Sequence, residues 1–114
     1  MPVQRWKETE REQMNPLVVR QTLHGQNITV ARLELKKGAV VPEHHHVNEQ
    51  IANVLEGRIV FHMQGTRQEV GPGESIVVPP NIPHKVEVLE DAVVYDVFSP
   101  IREDWIRGDD AYLR

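Results

Sequence analysis

The centre of the chain reads Pro42-Glu43-His44-His45-His46-Val47-Asn48-Glu49-Gln50. Side chains of an extended strand alternate between its two faces, so His44 and His46 point the same way and His45 points the opposite way. The even spacing continues to Gln50, which can join the first two. Neutral imidazoles are ligands for zinc, nickel, copper, iron and manganese. The stretch therefore predicts part of a metal site.

A further histidine, His84, follows the turn Pro79-Pro80-Asn81-Ile82-Pro83 and begins what the pattern predicts to be a separate strand. A neighbouring strand can bring this residue in as the fourth ligand. A site with three or four protein ligands leaves a position open for substrate or water, which favours chemistry over a purely structural role. The alternative for the histidine run taken alone is a solvated loop with fortuitous metal affinity.

Length and turn spacing predict one all-β domain over residues 1–114, of which 39% are hydrophobic. Short runs rich in Val and Ile lie between Gly, Pro and Asn turn signals, as in a β-sandwich or barrel. The predicted strands are Ile28 to Leu35, Ile51 to Leu55, Arg58 to Met63, Ser75 to Val78, Lys85 to Leu89 and Ala92 to Phe98. The segment Arg11 to Asn15 is too polar to place. After Ser99-Pro100, where Ser can cap a helix and Pro can take its first position, one or two helical turns are expected over Ile101 to Arg107.

Charge and composition restrict the partners. The formal net charge is −4 with both signs interspersed, whereas nucleic-acid binders normally display a basic face. The chain has no cysteine, which removes thiolate ligands and disulfides and is compatible with a reducing compartment. The first residues lack an apolar signal core, and no run approaches the roughly 20 apolar residues of a membrane span. We expect a cytoplasmic protein with a small-molecule partner.

Two motifs, each of which begins at a glycine, carry a resemblance to a known family. The first runs from Gly38 through His44-x-His46 and Gln50 to Gly57, and the second from Gly73 through Pro79-x-Asn81-x-x-His84 to Val88. Together they resemble the two signatures of the cupin superfamily, with Gln50 where Glu is usual, Asn81 in place of glycine and Val88 in place of asparagine. The resemblance implies a single-domain jelly-roll barrel, the double-stranded β-helix, with a metal inside.

Gln50 matters because two histidines and a carboxylate form the usual facial arrangement of non-haem iron oxygenases. A neutral amide ligand leaves the ion its full positive charge, which favours Lewis-acid chemistry on an anionic substrate over oxygen activation. Glu49 is the alternative ligand, since a bulge would rotate it inward. The spacing to Gly57 favours Gln50.

A second group of residues follows the metal motifs. In the strand Val93-Val94-Tyr95-Asp96-Val97-Phe98, parity places Asp96 on one face with Val94 and Phe98. A carboxyl among apolar neighbours has a raised pKa suited to general acid or base work, although a structural Asp paired with Arg is the alternative. Arg102 is a candidate anchor for a substrate carboxylate, or else an exposed surface residue in a weak ion pair.

The histidine pattern, Gln50 and the ending Asp96-x-Phe98-Ser99-Pro100-Ile101-Arg102 resemble the KdgF family of small pectin- and alginate-degradation cupins. This resemblance implies that His44, His46, Gln50 and His84 bind a divalent metal, such as nickel, zinc, manganese or iron. It implies that Asp96, Phe98 and Arg102 line the active site. The implied reaction converts cyclic 4,5-unsaturated monouronates into linear 5-keto-4-deoxyuronates, and the implied assembly is a homodimer.

Two rival functions remain at this point: a metal-dependent dioxygenase, and a noncatalytic module that binds a small anionic sugar acid. No role is predicted for His45, which faces outward, or for His24, which lies on a turn. His62 lies on a strand whose facing the pattern does not decide.

Overall fold

The computed structural model describes residues 2–114, which form eight antiparallel strands, one short α-helix and two 3-10 turns. The strands are β1 Glu12–Asn15, β2 Val18–His24, β3 Thr29–Leu35, β4 Val40–His44, β5 Glu49–Met63, β6 Thr66–Val70, β7 Ser75–Val78 and β8 His84–Ser99. The helix α1 is Glu103–Ile106, and the 3-10 turns are Trp6–Glu8 and Ala111–Leu113. The all-β prediction is confirmed.

Two long strands, β5 and β8, hold the barrel together. They pair with each other along almost their whole length, from Glu49 opposite Ser99 to Met63 opposite His84. The final half of β8 also pairs with β3, and the first half of β5 with β7, which makes one sheet with β2 and β1. The other halves pair with β4 and β6 and make the second sheet. The result is the jelly-roll arrangement that the resemblance implies.

Alternation along β8 separates the barrel interior from its surface. Its even-numbered residues are buried, with the exception of Glu90 at the bend, whereas its odd-numbered residues are partly or fully exposed. The same alternation in β5 buries Val54, and both faces of the strand become buried near Ile59, Val60 and Phe61. Side chains at even positions of β8 therefore reach the interior, as strand parity predicts for Asp96.

The structure corrects several of the predicted boundaries. The separate strands predicted on either side of Glu56-Gly57 are one strand, β5, and those on either side of Glu90-Asp91 are one strand, β8. The turn signals Glu56-Gly57 and Glu90-Asp91 coincide with irregularities in the pairing register of β5 and β8. The two long strands bend there from one sheet into the other. The polar segment Arg11 to Asn15 contains β1, and β2 was not predicted. Both strands are stabilised by pairing, of β1 with β2 and of β2 with β3, and such pairing cannot be inferred from local composition.

Helical structure does lie within Ile101 to Arg107, but its predicted start was wrong. Ser99 is the last residue of β8 and pairs with Glu49, so it is not available as a helix cap. The helix begins one residue after Arg102, which occupies the N-cap position without a capping side-chain bond. Within residues 2–114, no helix is long and apolar enough to cross a membrane.

Gly57 is predicted to be indispensable at the bend of β5. Its φ is +80°, and a Cβ there would overlap the carbonyl oxygen of Asp91 on β8. Gly65, with φ +73°, has nothing within 4 Å of the same position and supplies the matched control. We expect Gly57→Ala to lower the free energy of unfolding by about 2 kcal/mol or more beyond the backbone strain of Gly65→Ala. Urea unfolding measures both, and equal losses would contradict the steric role of Gly57.

Candidate metal centre

Three histidines converge at one end of the barrel. His44 ends β4 and lies opposite His84, the first residue of β8, while His46 lies in the loop that leads to β5. Each offers a ring nitrogen, and these atoms all lie within 4.8 Å of one another. The ring centroid of His84 is 4.3 Å from that of His44 and 4.9 Å from that of His46. His44 and His46 thus point the same way, as the alternation predicts, although only His44 is in a strand.

The three rings are oriented in the same way by the backbone. Each ring places Nδ1 against a carbonyl oxygen two residues away. The bonds are His44 to Pro42 at 2.8 Å, His46 to Asn48 at 3.0 Å and His84 to Ile82 at 2.8 Å. Because a carbonyl oxygen only accepts, Nδ1 must carry the proton, and Nε2 of each neutral ring keeps its lone pair. This is the orientation that metal-binding histidines require.

The surroundings keep the imidazoles neutral. Burial lowers the pKa of His44 and of His46 to about 4, and the positive charge of Arg102 adds to the effect. Burial also lowers the pKa of His84. Metal ligation needs the unprotonated ring, so the three side chains are in the ligating form at neutral pH.

Gln50 lies next to the three histidines, in a position that suits a fourth donor to a cation. It is buried, and its Oε1 lies 3.1 Å from Nε2 of His46. Since Nδ1 of His46 carries the ring proton, both of these atoms are acceptors that face each other. A divalent ion placed between them would take a lone pair from each, as it would from His44 and His84. Glu49 is exposed and points away, so the donor set contains no carboxylate.

Asp96 lies beside this donor set in a pocket made by small neighbours. Its partners across the strand are Ala31 on β3 and Ala52 on β5, and both are fully buried. Asp96 is 7% exposed, and its Oδ1 has no hydrogen-bond partner within residues 2–114. Burial raises the pKa of Asp96 to about 7, while Gln50 and the charge of Arg102 act in the opposite direction. The carboxyl therefore exchanges protons readily near neutral pH.

Arg102 is buried, which excludes the exposed surface residue that the sequence left as an alternative. It is 1% exposed, and its Nε and Nη2 pair with the two carboxylate oxygens of Asp104 at 3.0 and 2.8 Å. Its guanidinium also lies over the ring of Phe98, with Cζ 4.6 Å from the ring centroid. Phe98 is buried and meets the ring of His46 edge-on at 5.7 Å. All three predicted active-site residues thus adjoin the histidines.

Sequence reasoning missed two residues of this region. Tyr112, near the end of the chain, stacks on His44 with ring centroids 4.5 Å apart, and its hydroxyl accepts bonds from Arg102 and Trp105. Asn48 is buried, and its Nδ2 donates to the carbonyl oxygens of Pro100 and Ile101. Asn48 shares the parity of His46 and Gln50, so the alternation could have identified it. No local signal points to Tyr112.

A cavity of about 50 Å³ adjoins the centre. Its polar lining comes from both motifs and from the end of the chain: His44, Gln50, His84, Asp96, Arg102 and Tyr112. Its remaining walls are apolar side chains of the barrel interior, including Phe61 and Phe98. The cavity has room for a few water molecules beside the donor set.

The remaining histidines lie outside the centre. His45 is exposed, as strand parity predicts. His62 lies on the outer face of β5, with Nε2 3.5 Å from a carboxylate oxygen of Glu87. The sequence had left open which face of the strand carries this side chain. His24 is exposed, with its Nδ1 2.8 Å from the hydroxyl of Thr29.

Comparisons with known proteins agree with this fold and site. The family model described as the cupin domain matches residues 31–98. An uncharacterized protein of Methanocaldococcus jannaschii is 30% identical over 92 residues, which cover 69% of this chain and 73% of that protein. Acireductone dioxygenase of Bacillus pumilus is 33% identical over 70 residues, which cover 56% of this chain and 40% of the enzyme.

A similar solved structure is that of KdgF from a Halomonas species. It superposes with a TM-score of 0.81 at 28% identity, over 87% of this chain and 94% of that one. The matched family model spans both histidine motifs and ends at Phe98, after Asp96. The chain belongs to the cupin family.

Proposed function

We propose that this protein is a metal-dependent enzyme that converts cyclic 4,5-unsaturated monouronates into linear 5-keto-4-deoxyuronates, products of pectin and alginate breakdown. The observation that carries the proposal is the pairing of a carboxylate-free donor set with Asp96, a buried carboxyl whose Oδ1 has no partner within the described residues. A site that only binds a sugar acid has no need of a buried carboxyl with an unpartnered oxygen, whereas proton transfer requires such a group. The similarity to KdgF in fold and motifs supports the same reaction.

The proposed reaction requires two proton movements and no change of oxidation state. The hydroxyl proton at C1 is transferred to the ring oxygen as the bond between C1 and that oxygen breaks, which gives an aldehyde at C1 and an enol at C5. The enol then loses its hydroxyl proton and gains a proton at C4, which gives the ketone. Asp96 moves the proton to C4, because its raised pKa lets it hold and release a proton near neutral pH.

The other residues bind and orient the substrate. Arg102 holds the uronate carboxylate, and Phe98 packs against the sugar. His44, His46, His84 and the Gln50 carbonyl would hold nickel, zinc, manganese or iron. A divalent ion bound there would supply Lewis-acid polarisation of the substrate's oxygens.

The dioxygenase alternative rests on the similarity to acireductone dioxygenase. Against it stands the outward position of Glu49, which leaves the three histidines with a neutral amide in place of a carboxylate. A donor set without a carboxylate favours Lewis-acid chemistry over oxygen activation at iron. The two functions differ in their need for oxygen.

An anaerobic assay tests the proposal directly. We expect the metal-loaded protein to consume a 4,5-unsaturated monouronate at the same rate with and without oxygen, since the conversion is an isomerisation. The loss of the substrate's ring double bond is followed by ultraviolet absorbance, and the ketone is identified by NMR. Turnover that stops when oxygen is excluded would indicate that the protein is a dioxygenase. Binding of the monouronate without turnover would make it a sugar-acid binding module.

A further inference from the structure

The guanidinium of Arg102 is held along one edge. Asp104 accepts from Nε at 3.0 Å and from Nη2 at 2.8 Å, and the Tyr112 hydroxyl accepts from Nη2 at 2.7 Å. Two parallel bonds to one carboxylate fix both the position and the plane of a guanidinium. The edge formed by Nε and Nη2 is therefore occupied before any ligand arrives.

Two aromatic rings restrict the guanidinium further. Its Cζ lies 4.6 Å from the ring centroid of Phe98 and 4.1 Å from that of Trp105. The backbone is also tied down, because the Arg102 amide donates to the buried hydroxyl of Thr29 at 2.9 Å. The side chain cannot swing away without losing these contacts.

The side-chain hydrogen bonds of Arg102 within residues 2–114 involve Nε and Nη2, so the remaining nitrogen, Nη1, is without a protein partner. Arg102 nevertheless lines the same cavity as His44, Gln50 and Asp96. A buried guanidinium with an open N–H edge gains most from a ligand that brings its own carboxylate oxygen. Asp104 is 28% exposed and lies at the rim, on α1, so it meets Arg102 from outside the cavity.

We propose that Asp104 is a positioning residue, which holds Arg102 by the Nε and Nη2 edge and thereby presents Nη1 to the carboxylate of the substrate. This inference rests on the proposed function. Asp104 touches neither the substrate nor the histidines and acts only through Arg102. It makes recognition of the carboxylate depend on a fixed direction of approach and not on charge alone.

A double-variant cycle tests this role. We expect Asp104→Asn to raise KM for the unsaturated monouronate about 10-fold, the loss expected for a charge-assisted hydrogen bond, with a smaller change in kcat. In the Arg102→Met background, which keeps an aliphatic chain between Phe98 and Trp105, the same change should have no further effect. A merely structural role of Asp104 would give additive losses in the two backgrounds.

Binding of D-galacturonate, a saturated uronate that cannot undergo the reaction, gives a second readout by calorimetry on the metal-loaded variants. Asp104→Asn should raise its dissociation constant in the parent background and leave it unchanged in the Arg102→Met background. The matched control is Asp109→Asn, since Asp109 pairs with Arg107 at the same two-residue spacing on the surface. We expect no change there in KM or in galacturonate affinity. The nickel affinity of Asp104→Asn should match that of the parent protein, because Asp104 does not contact the histidines.

The outcomes separate this inference from the proposed function. Galacturonate binding that follows the cycle, without turnover of the unsaturated sugar, would support Asp104 and refute the proposed reaction. Normal turnover in Asp104→Asn, or additive losses with Arg102→Met, would overturn the positioning role and leave the reaction standing. If the parent protein did not bind galacturonate, the inference that Arg102 is held in place to bind a carboxylate would be refuted.

Discussion

Replacing His46 with alanine is expected to lower the affinity for nickel or zinc by more than about 100-fold and to reduce turnover accordingly at limiting metal. Changes outside the donor set of a metal site already cost about 10 to 100-fold, and this change removes a donor itself. The ring is buried, and the backbone directs its Nε2 toward the other donors. Metal content after dialysis and competition titration with a chelator measure the effect.

The neighbouring histidine supplies the control for this experiment. His45 has the same chemistry and lies one residue away, but it is exposed. We expect His45→Ala to retain the metal affinity and turnover of the parent protein, and chelation of the metal to abolish turnover in both. Metal loss in His45→Ala together with retention in His46→Ala would place the ion elsewhere and refute the assigned donor set.

Replacing Asp96 with asparagine is expected to reduce turnover of the unsaturated monouronate by roughly 100-fold or more. Asparagine keeps the size of the side chain between Ala31 and Ala52 but removes its acid-base capacity. Metal affinity and thermal stability should change little, because Asp96 is not among the proposed ligands. Steady-state kinetics, metal analysis and thermal unfolding separate the three quantities.

Asp91→Asn is the control for this second prediction, since Asp91 lies on the same strand but is exposed at its bend. It should leave turnover unchanged. Near-normal turnover in Asp96→Asn would mean that another group carries the proton. Loss of metal or a much lower melting temperature would instead make Asp96 a structural residue of the scaffold.

Strand parity explains why much of this site could be predicted from the sequence. The two-residue period of a strand places every second side chain on one face, and the buried positions Gln50 and Asp96 follow it, while His46 keeps the same alternation in the loop before β5. The two motifs carried the family resemblance, which the cupin-domain match confirms. The separate strands predicted around Glu56-Gly57 were wrong, because a local turn signal does not distinguish a reversal of the chain from a bend within one strand.

The surroundings of Arg102 could not be predicted from the sequence. The sequence left open whether this residue was exposed or an anchor, since a short irregular segment has no period from which its facing can be read. Its burial, its pairing with Asp104 and its contact with Tyr112 depend on where the C-terminal segment packs on the barrel.

The family, the inward faces of Gln50 and Asp96 and the three histidines could thus be read from the order of the residues, because they depend on short-range periodicity and local motifs. The joining of strands into β5 and β8, the common orientation of the imidazole rings and the edge by which Arg102 is held became apparent only in the folded protein. These features arise from contacts between segments distant in the chain or from backbone geometry, and neither leaves a pattern in the order of the residues.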